Sequence, residues 1–141
     1  MAAGPNALRG SGPIGVGIND KGQIVGCYVE SFSPIRLRGF LLSADTYATI
    51  DYPSARDYTI PRGINNNGQI VGVYSDSTGG GGFLYNPNGG TYTALNFPWP
   101  NAGPEGINDN GQIVGGYSDS SGSHGFVYNL NDGTYTTLDF S

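Results

Sequence analysis

Apolar and polar residues alternate in short runs along this chain, and the same runs recur in the same order three times. The decamers Gly17–Gly26, Gly63–Gly72 and Gly106–Gly115 all read Gly-Ile-Asn-x-x-Gly-Gln-Ile-Val-Gly, spaced 46 and then 43 residues apart. Each copy continues through a tyrosine (Tyr28, Tyr74, Tyr117), a polar loop and a Gly-Phe pair (Gly39-Phe40, Gly82-Phe83, Gly125-Phe126). The closing segments are Tyr47–Tyr52, Tyr92–Phe97 and Tyr135–Phe140. Within them Thr49, Asp51, Thr137 and Asp139 alternate with Ile50, Tyr52, Leu138 and Phe140. That period of two gives a strand one apolar and one polar face. Every repeat therefore predicts four short strands: a Gly-Ile-Asn stub, Gln-Ile-Val-Gly-x-Tyr, Gly-Phe-(Leu/Val)-(Leu/Tyr), and the closing segment. The intervening Asn-Asp-x-Gly turns predict positive φ at Gly22, Gly68 and Gly111, where a side chain would be strained. No segment carries the i, i+3, i+4 pattern of a helix.

The expected class is all-β, in one repeat domain over 1–141. Its units lie at about 15–60, 61–103 and 104–141, after an irregular segment at 1–13. Four strands in about 43 residues fit a β-propeller blade. Three blades cannot close a ring, and an open arc would leave apolar sheet faces bare at both ends. Two chains joined head to tail would complete a six-bladed ring, a homodimer. A β-trefoil, also three units of four strands, would close as a monomer.

Twenty-five Gly and nine Pro with only 12% charged residues describe a turn-dense β protein, and the 37% hydrophobic content is enough for a core. The net charge of −5 with five scattered Arg and one Lys excludes a nucleic-acid partner, which calls for a basic patch. No apolar run reaches membrane-spanning length, and no signal peptide is visible at the start of the chain. Cys27 stands where the other repeats carry Val73 and Gly116, so it forms no internal disulfide and reads as a small packing residue.

Candidate chemistry is sparse. Nucleophilic catalysis would have to use the single histidine, His124, without a Gly-x-Ser-x-Gly elbow or a Cys-His motif beside it. The Asn-Asp-x-Gly turns lack the alternating carboxylates and distal Glu of a calcium loop, and Asn65-Asn66-Asn67-Gly68 has no carboxylate at all, so no metal or cofactor is expected. Two carboxylates would suffice for glycoside hydrolysis, and Glu30, Asp51, Asp76, Asp119 and Asp139 are available. Glu30, Asp76 and Asp119 occupy equivalent repeat positions, however, and repetition favours shallow binding sites over one asymmetric active site.

The run Gly-Ile-Asn-Asp-x-Gly-Gln-Ile-Val-Gly-x-Tyr, then His124-Gly125-Phe126, then Tyr-Thr-Thr-Leu-Asp-Phe resembles the bacterial extracellular HAF repeats, from about Gly15 to Phe140. The signature His survives at His124, with Arg38 and Gly81 in its place elsewhere, and Gly replaces Ala in all three copies. The resemblance implies a secreted or surface protein of propeller-like build and no catalytic residue. With the Gly-rich first strand, it favours the propeller over the trefoil.

The expected function is multivalent binding of an extracellular ligand, a carbohydrate, by a lectin-like module. A carbohydrate-active hydrolase or lyase with paired carboxylates, and a purely structural assembly unit, are the alternatives. Aromatic rings stack on sugar C–H faces while Asp, Asn and Ser bond hydroxyls. The candidate ligand residues are Trp99, Asp76, Asp119, His124, Tyr74 and Tyr117. Tyr28, Tyr74 and Tyr117 read first as packing between blades. Trp99, between Pro98 and Pro100, stands where the first repeat has Ser54 and is expected to be little needed for packing.

Overall fold

A computed structural model describes residues 12–138. The irregular segment at 1–13 lies almost wholly outside that range, as do Asp139 and Phe140. The strands are β1 (Ile14–Ile18), β2 (Ile24–Phe32), β3 (Ile35–Ser43), β4 (Thr46–Ile50), β5 (Tyr58–Ile64), β6 (Ile70–Ser75), β7 (Gly81–Asn86), β8 (Thr91–Leu95), β9 (Gly103–Ile107), β10 (Gln112–Asp119), β11 (Gly122–Asn129) and β12 (Thr134–Leu138). No helix occurs among the described residues. They form three antiparallel meanders, β1–β4, β5–β8 and β9–β12, each strand pairing with the next. The first two meanders are linked by one parallel bridge, Leu37 to Tyr58. A trefoil would build its barrel from strands paired between units, whereas every antiparallel ladder here stays within its own unit.

The first strands are longer than the Gly-Ile-Asn stub and contain Pro61 and Pro104, both fully buried. They lie backbone against backbone where the units meet. A Cβ on Gly17 would sit 3.2 Å from the Cα of Gly63, and one on Gly63 would sit 2.9 Å from the Cα of Gly106. The repeated glycine is thus explained by the close approach of neighbouring units.

Two apolar clusters fill the spaces between units. Val25, Leu41 and Ile50 of the first meet Ile64, Ile70 and Phe83 of the second. Val71, Leu84 and Leu95 of the second meet Ile113 of the third, with Ile107 packed alongside. Burial at equivalent positions therefore depends on having a neighbour. Val25 and Val71 are 0% exposed and Val114 46%; Ile50 is 1%, Leu95 7% and Leu138 51%. On the opposite face Ile64 is 6% exposed and its counterpart Ile18 67%.

Gly22, Gly68 and Gly111 hold φ of 75°, 80° and 76° in equivalent turns. A Cβ on Gly68 would meet nothing within 4 Å, so the strain of adding one lies in the backbone alone. Gly68→Val is expected to cost about 1–2 kcal/mol, read as a lower urea midpoint at unchanged slope.

The neighbouring asparagines do more than close turns. Asn65 accepts from the main-chain nitrogens of Asn67 and Gln69 and donates to the Gln69 side chain at 2.7 Å. Its amide also reaches the Asn108 carbonyl of the next unit at 2.9 Å, as Asn19 reaches the Asn65 carbonyl. Beside this ladder the Asn66 amide bridges Asp20 at 2.8 Å and Asp109 at 2.9 Å. The main-chain nitrogens of Asp20 and Asn66 each donate at 2.7 Å to the Oδ1 of the corresponding residue one unit on. Such bonds satisfy buried polar groups and fix the register between units, which apolar packing alone does loosely.

Candidate functional site

The β2–β3, β6–β7 and β10–β11 hairpins and the links between units share one edge of the molecule, opposite the Asn-rich turns. On this edge equivalent residues take different partners. Glu30 pairs with Arg38, which also reaches Asp51 at 3.2 Å, while Arg36 contacts Glu30 at 3.2 Å. Asp119 meets His124 Nε2 at 2.9 Å. Asp76 faces glycine at the corresponding position, Gly81, and instead accepts from Ser54 at 2.8 Å and Thr78 at 2.7 Å.

Ser121 and Asp119 both contact the same imidazole nitrogen, His124 Nε2, at 2.9 Å. A Ser-His-Asp relay requires the serine and the carboxylate on opposite ring nitrogens, so this trio is not one. Hydrogen bonds from Ser121 and then His124 lower the Asp119 carboxyl to about 2. Asp76 is also lowered, chiefly by Thr78 and Ser54. A glycosidase general acid needs the opposite shift. Glu30 and Asp51 share their arginines rather than facing each other across open space.

Trp99 differs from its expectation. It is half-buried and stacks on Tyr117 at 4.5 Å and 8°, with Phe126 at 5.1 Å and Tyr135 edge-on at 5.5 Å. Tyr117 in turn stacks on His124 at 4.9 Å. The same role between the first two units falls to Tyr52, stacked on Tyr74 at 3.8 Å. The ring packs after all because the next unit's tyrosine, Tyr117, lies directly beneath it. Tyr28 and Tyr117 are buried. Tyr74 keeps a partly exposed edge, and its hydroxyl is pushed up to about 12 by burial and then by Tyr52. It remains a neutral donor at physiological pH.

The structure thus aligns Trp99, Tyr117, His124 and Asp119 in one row. Trp99 and Tyr74 also line a cleft of about 490 Å³ formed by the second unit and its link to the third, with Asn96, Asn101 and the Gly79–Gly82 backbone. A second cleft of about 280 Å³ shares Asn101 and Ala102 and reaches Tyr117 and His124. Asp76 sits on the adjacent hairpin and does not line either. Asn96 and Asn101 were not singled out from sequence; their place in the same inter-unit link as Trp99 was the available signal. Cys27 is half-buried, and burial raises its thiol, which stays protonated. Among the described residues no three His, Cys, Asp or Glu side chains gather as a metal group, and no helix is long and apolar enough to cross a membrane.

No family model matches the chain, and no curated protein matches it. Among solved structures it is similar to "putative TolB from Agrobacterium tumefaciens", with a TM-score of 0.69 over 95% of this chain at 11% identity. The chain spans about half the length of that protein, 50% of it. At this identity the likeness concerns the fold, which is all-β and β-propeller-like.

Proposed function

We propose that this protein is a multivalent ligand-binding module acting outside the cell, that its ligand is a carbohydrate, and that two copies close into a six-bladed ring. The observation that carries the ligand reading is the cleft formed by the second unit and its link to the third. Its aromatic walls, Tyr74 and Trp99, suit the C–H face of a sugar ring, and Asn96, Asn101 and exposed glycine backbone suit its hydroxyls. The depressed carboxyls of Asp76 and Asp119 favour hydroxyl acceptors over proton donors. A ring of two copies would carry the cleft twice, and paired weak sites gain by acting together. The HAF-type resemblance supports the extracellular setting.

Ring closure is supported by the two unmatched faces. Val114 and Leu138 present what Val25 and Ile50 present to the second unit, and Ile18 and Ile24 present what Ile64 and Ile70 present to the first. A second copy supplies the complementary face at each end, continuing an interface the chain already makes twice.

Glycan-array screening followed by calorimetry tests the ligand. The blocking variant is Gly81→Leu: a Cβ there meets nothing nearer than 3.7 Å, and the backbone is not left-handed. The variant should fold normally, fill the cleft and weaken glycan binding at least tenfold. Unchanged affinity in the folded variant would place the ligand elsewhere, and silence across the array would favour an assembly role without a sugar ligand.

A further inference from the structure

We infer that each closing junction of the ring sets Asp109 of one copy against Asp20 of the other, so that the two carboxyls share a proton and assembly tightens as pH falls. This rests on the ring-closure reading above and adds its regulation.

Inside the chain the acid–amide–acid row is balanced. The Asn66 amide stands between Asp20 and Asp109 and donates to both carboxylates. Continued by one unit, the ladder would let the Asn108 amide donate to the Asn19 carbonyl of the second copy, as Asn19 and Asn65 do within the chain. The Asp109 main-chain nitrogen would likewise donate to Asp20 Oδ1 of the second copy, as those of Asp20 and Asn66 donate one unit on. Among the described residues Asn108 makes every other bond of its set, to Asn110, Gln112 and the Gln112 side chain, but not this one. The side-chain row, however, now lacks its amide. Asp109 meets Asp20 with no donor between them, and two carboxylates at hydrogen-bonding distance cannot both stay ionised without cost.

The other charges near this edge do not remove the conflict. Lys21 follows Asp20 and attracts Asp109, the weakest of the influences on that carboxyl. Glu105 keeps Arg62 at 2.6 Å and would face the uncharged Val16 of the second copy. Asn66, Asn67 and Asn110 carry no charge, Asp132 on the β11–β12 turn is occupied by Thr134, and Asp45 on the β3–β4 turn adds only further negative charge. In the separate chain the Asn66 bonds hold the Asp109 carboxyl below the usual range. Apposition with Asp20 raises proton affinity in the assembled state, so assembly takes up protons. Its advantage is full at acid pH and is lost as pH rises through the assembled value.

Sedimentation of the full chain between pH 4.5 and 8, with EDTA present, tests this. The wild-type dimer constant should weaken at least tenfold across the range, because two junctions titrate together. Asp109→Asn or Asp20→Asn should flatten the profile and strengthen the dimer at pH 8. Asp57→Asn, an equal charge change on the opposite edge, should leave the profile as in the wild type. A wild-type dimer with no pH dependence would overturn the shared proton while leaving the ring intact. Flattening by Asp57→Asn as well would assign the effect to net charge and overturn it too. A monomer at every pH would overturn the ring itself.

Discussion

Gly72→Ala is expected to destabilise the protein by about 3 kcal/mol or more, the upper range for overpacking a filled site. A Cβ on Gly72 would fall 2.3 Å from the Ile60 carbonyl oxygen and 2.7 Å from the Pro61 Cα. Its counterparts behave alike: Gly26 would meet the Ile14 oxygen and Gly115 the Gly103 oxygen, the latter at 2.1 Å. In each unit the register between the first and second strands shifts close by, at Gly15/Gly17, Pro61/Gly63 and Val114/Gly115. The bulge presses a carbonyl onto the facing strand, and neither side can yield without breaking the ladder. The melting temperature should fall by about 10 °C. Gly89→Ala, where the nearest neighbour is 3.9 Å away, serves as the control. A Gly72→Ala variant melting within 2 °C of the wild type would show that the bulge is not tight.

Val114→Asp is expected to convert the proposed dimer, about twice the 14.7 kDa chain mass, into a monomer. Val114 is 46% exposed in the single chain, so the substitution should spare the monomer's stability. At a closed junction the same position would be buried as Val25 and Val71 are, and an unpaired carboxylate there costs several kcal/mol. Ile18→Asp should do the same from the other face. In the proposed head-to-tail contact, mixing the two variants should restore one good junction and a weaker dimer. Light scattering decides the matter. A Val114→Asp chain that keeps the dimer mass would show that these faces do not meet.

The architecture was legible because its signals were local and repeated. A Gly in a turn needing positive φ, a Gly-Phe pair and a two-residue alternation each report on a few neighbouring atoms, and three copies remove the ambiguity of one. What lay between units was harder to read. Asn19, Asn65 and Asn108 read as turn formers, which they are, but the fourth bond of Asn19 and Asn65 crosses to another unit 46 or 43 residues away. Local pattern carries no trace of that. Their equal phase, each followed four residues later by Gln, was the one hint. Trp99 illustrates the same limit: flanking prolines describe its backbone, whereas its neighbours Tyr117, Phe126 and Tyr135 come from the next unit. Asp119 and His124 come together because they lie five positions apart across one hairpin.

The asparagine ladder has a direction. The side-chain amides of Asn19 and Asn65 both reach forward to the carbonyl of the following unit, so the stack has a polarity, as a strand does. Two copies joined in keeping with it would share a symmetry axis running through the centre of the ring, never one lying in its plane. The hairpin edges of both copies would then emerge on the same side. A body of that symmetry would show its clefts to one surface only and turn its amide-rich side away, a geometry suited to lying flat against something that carries many identical ligands.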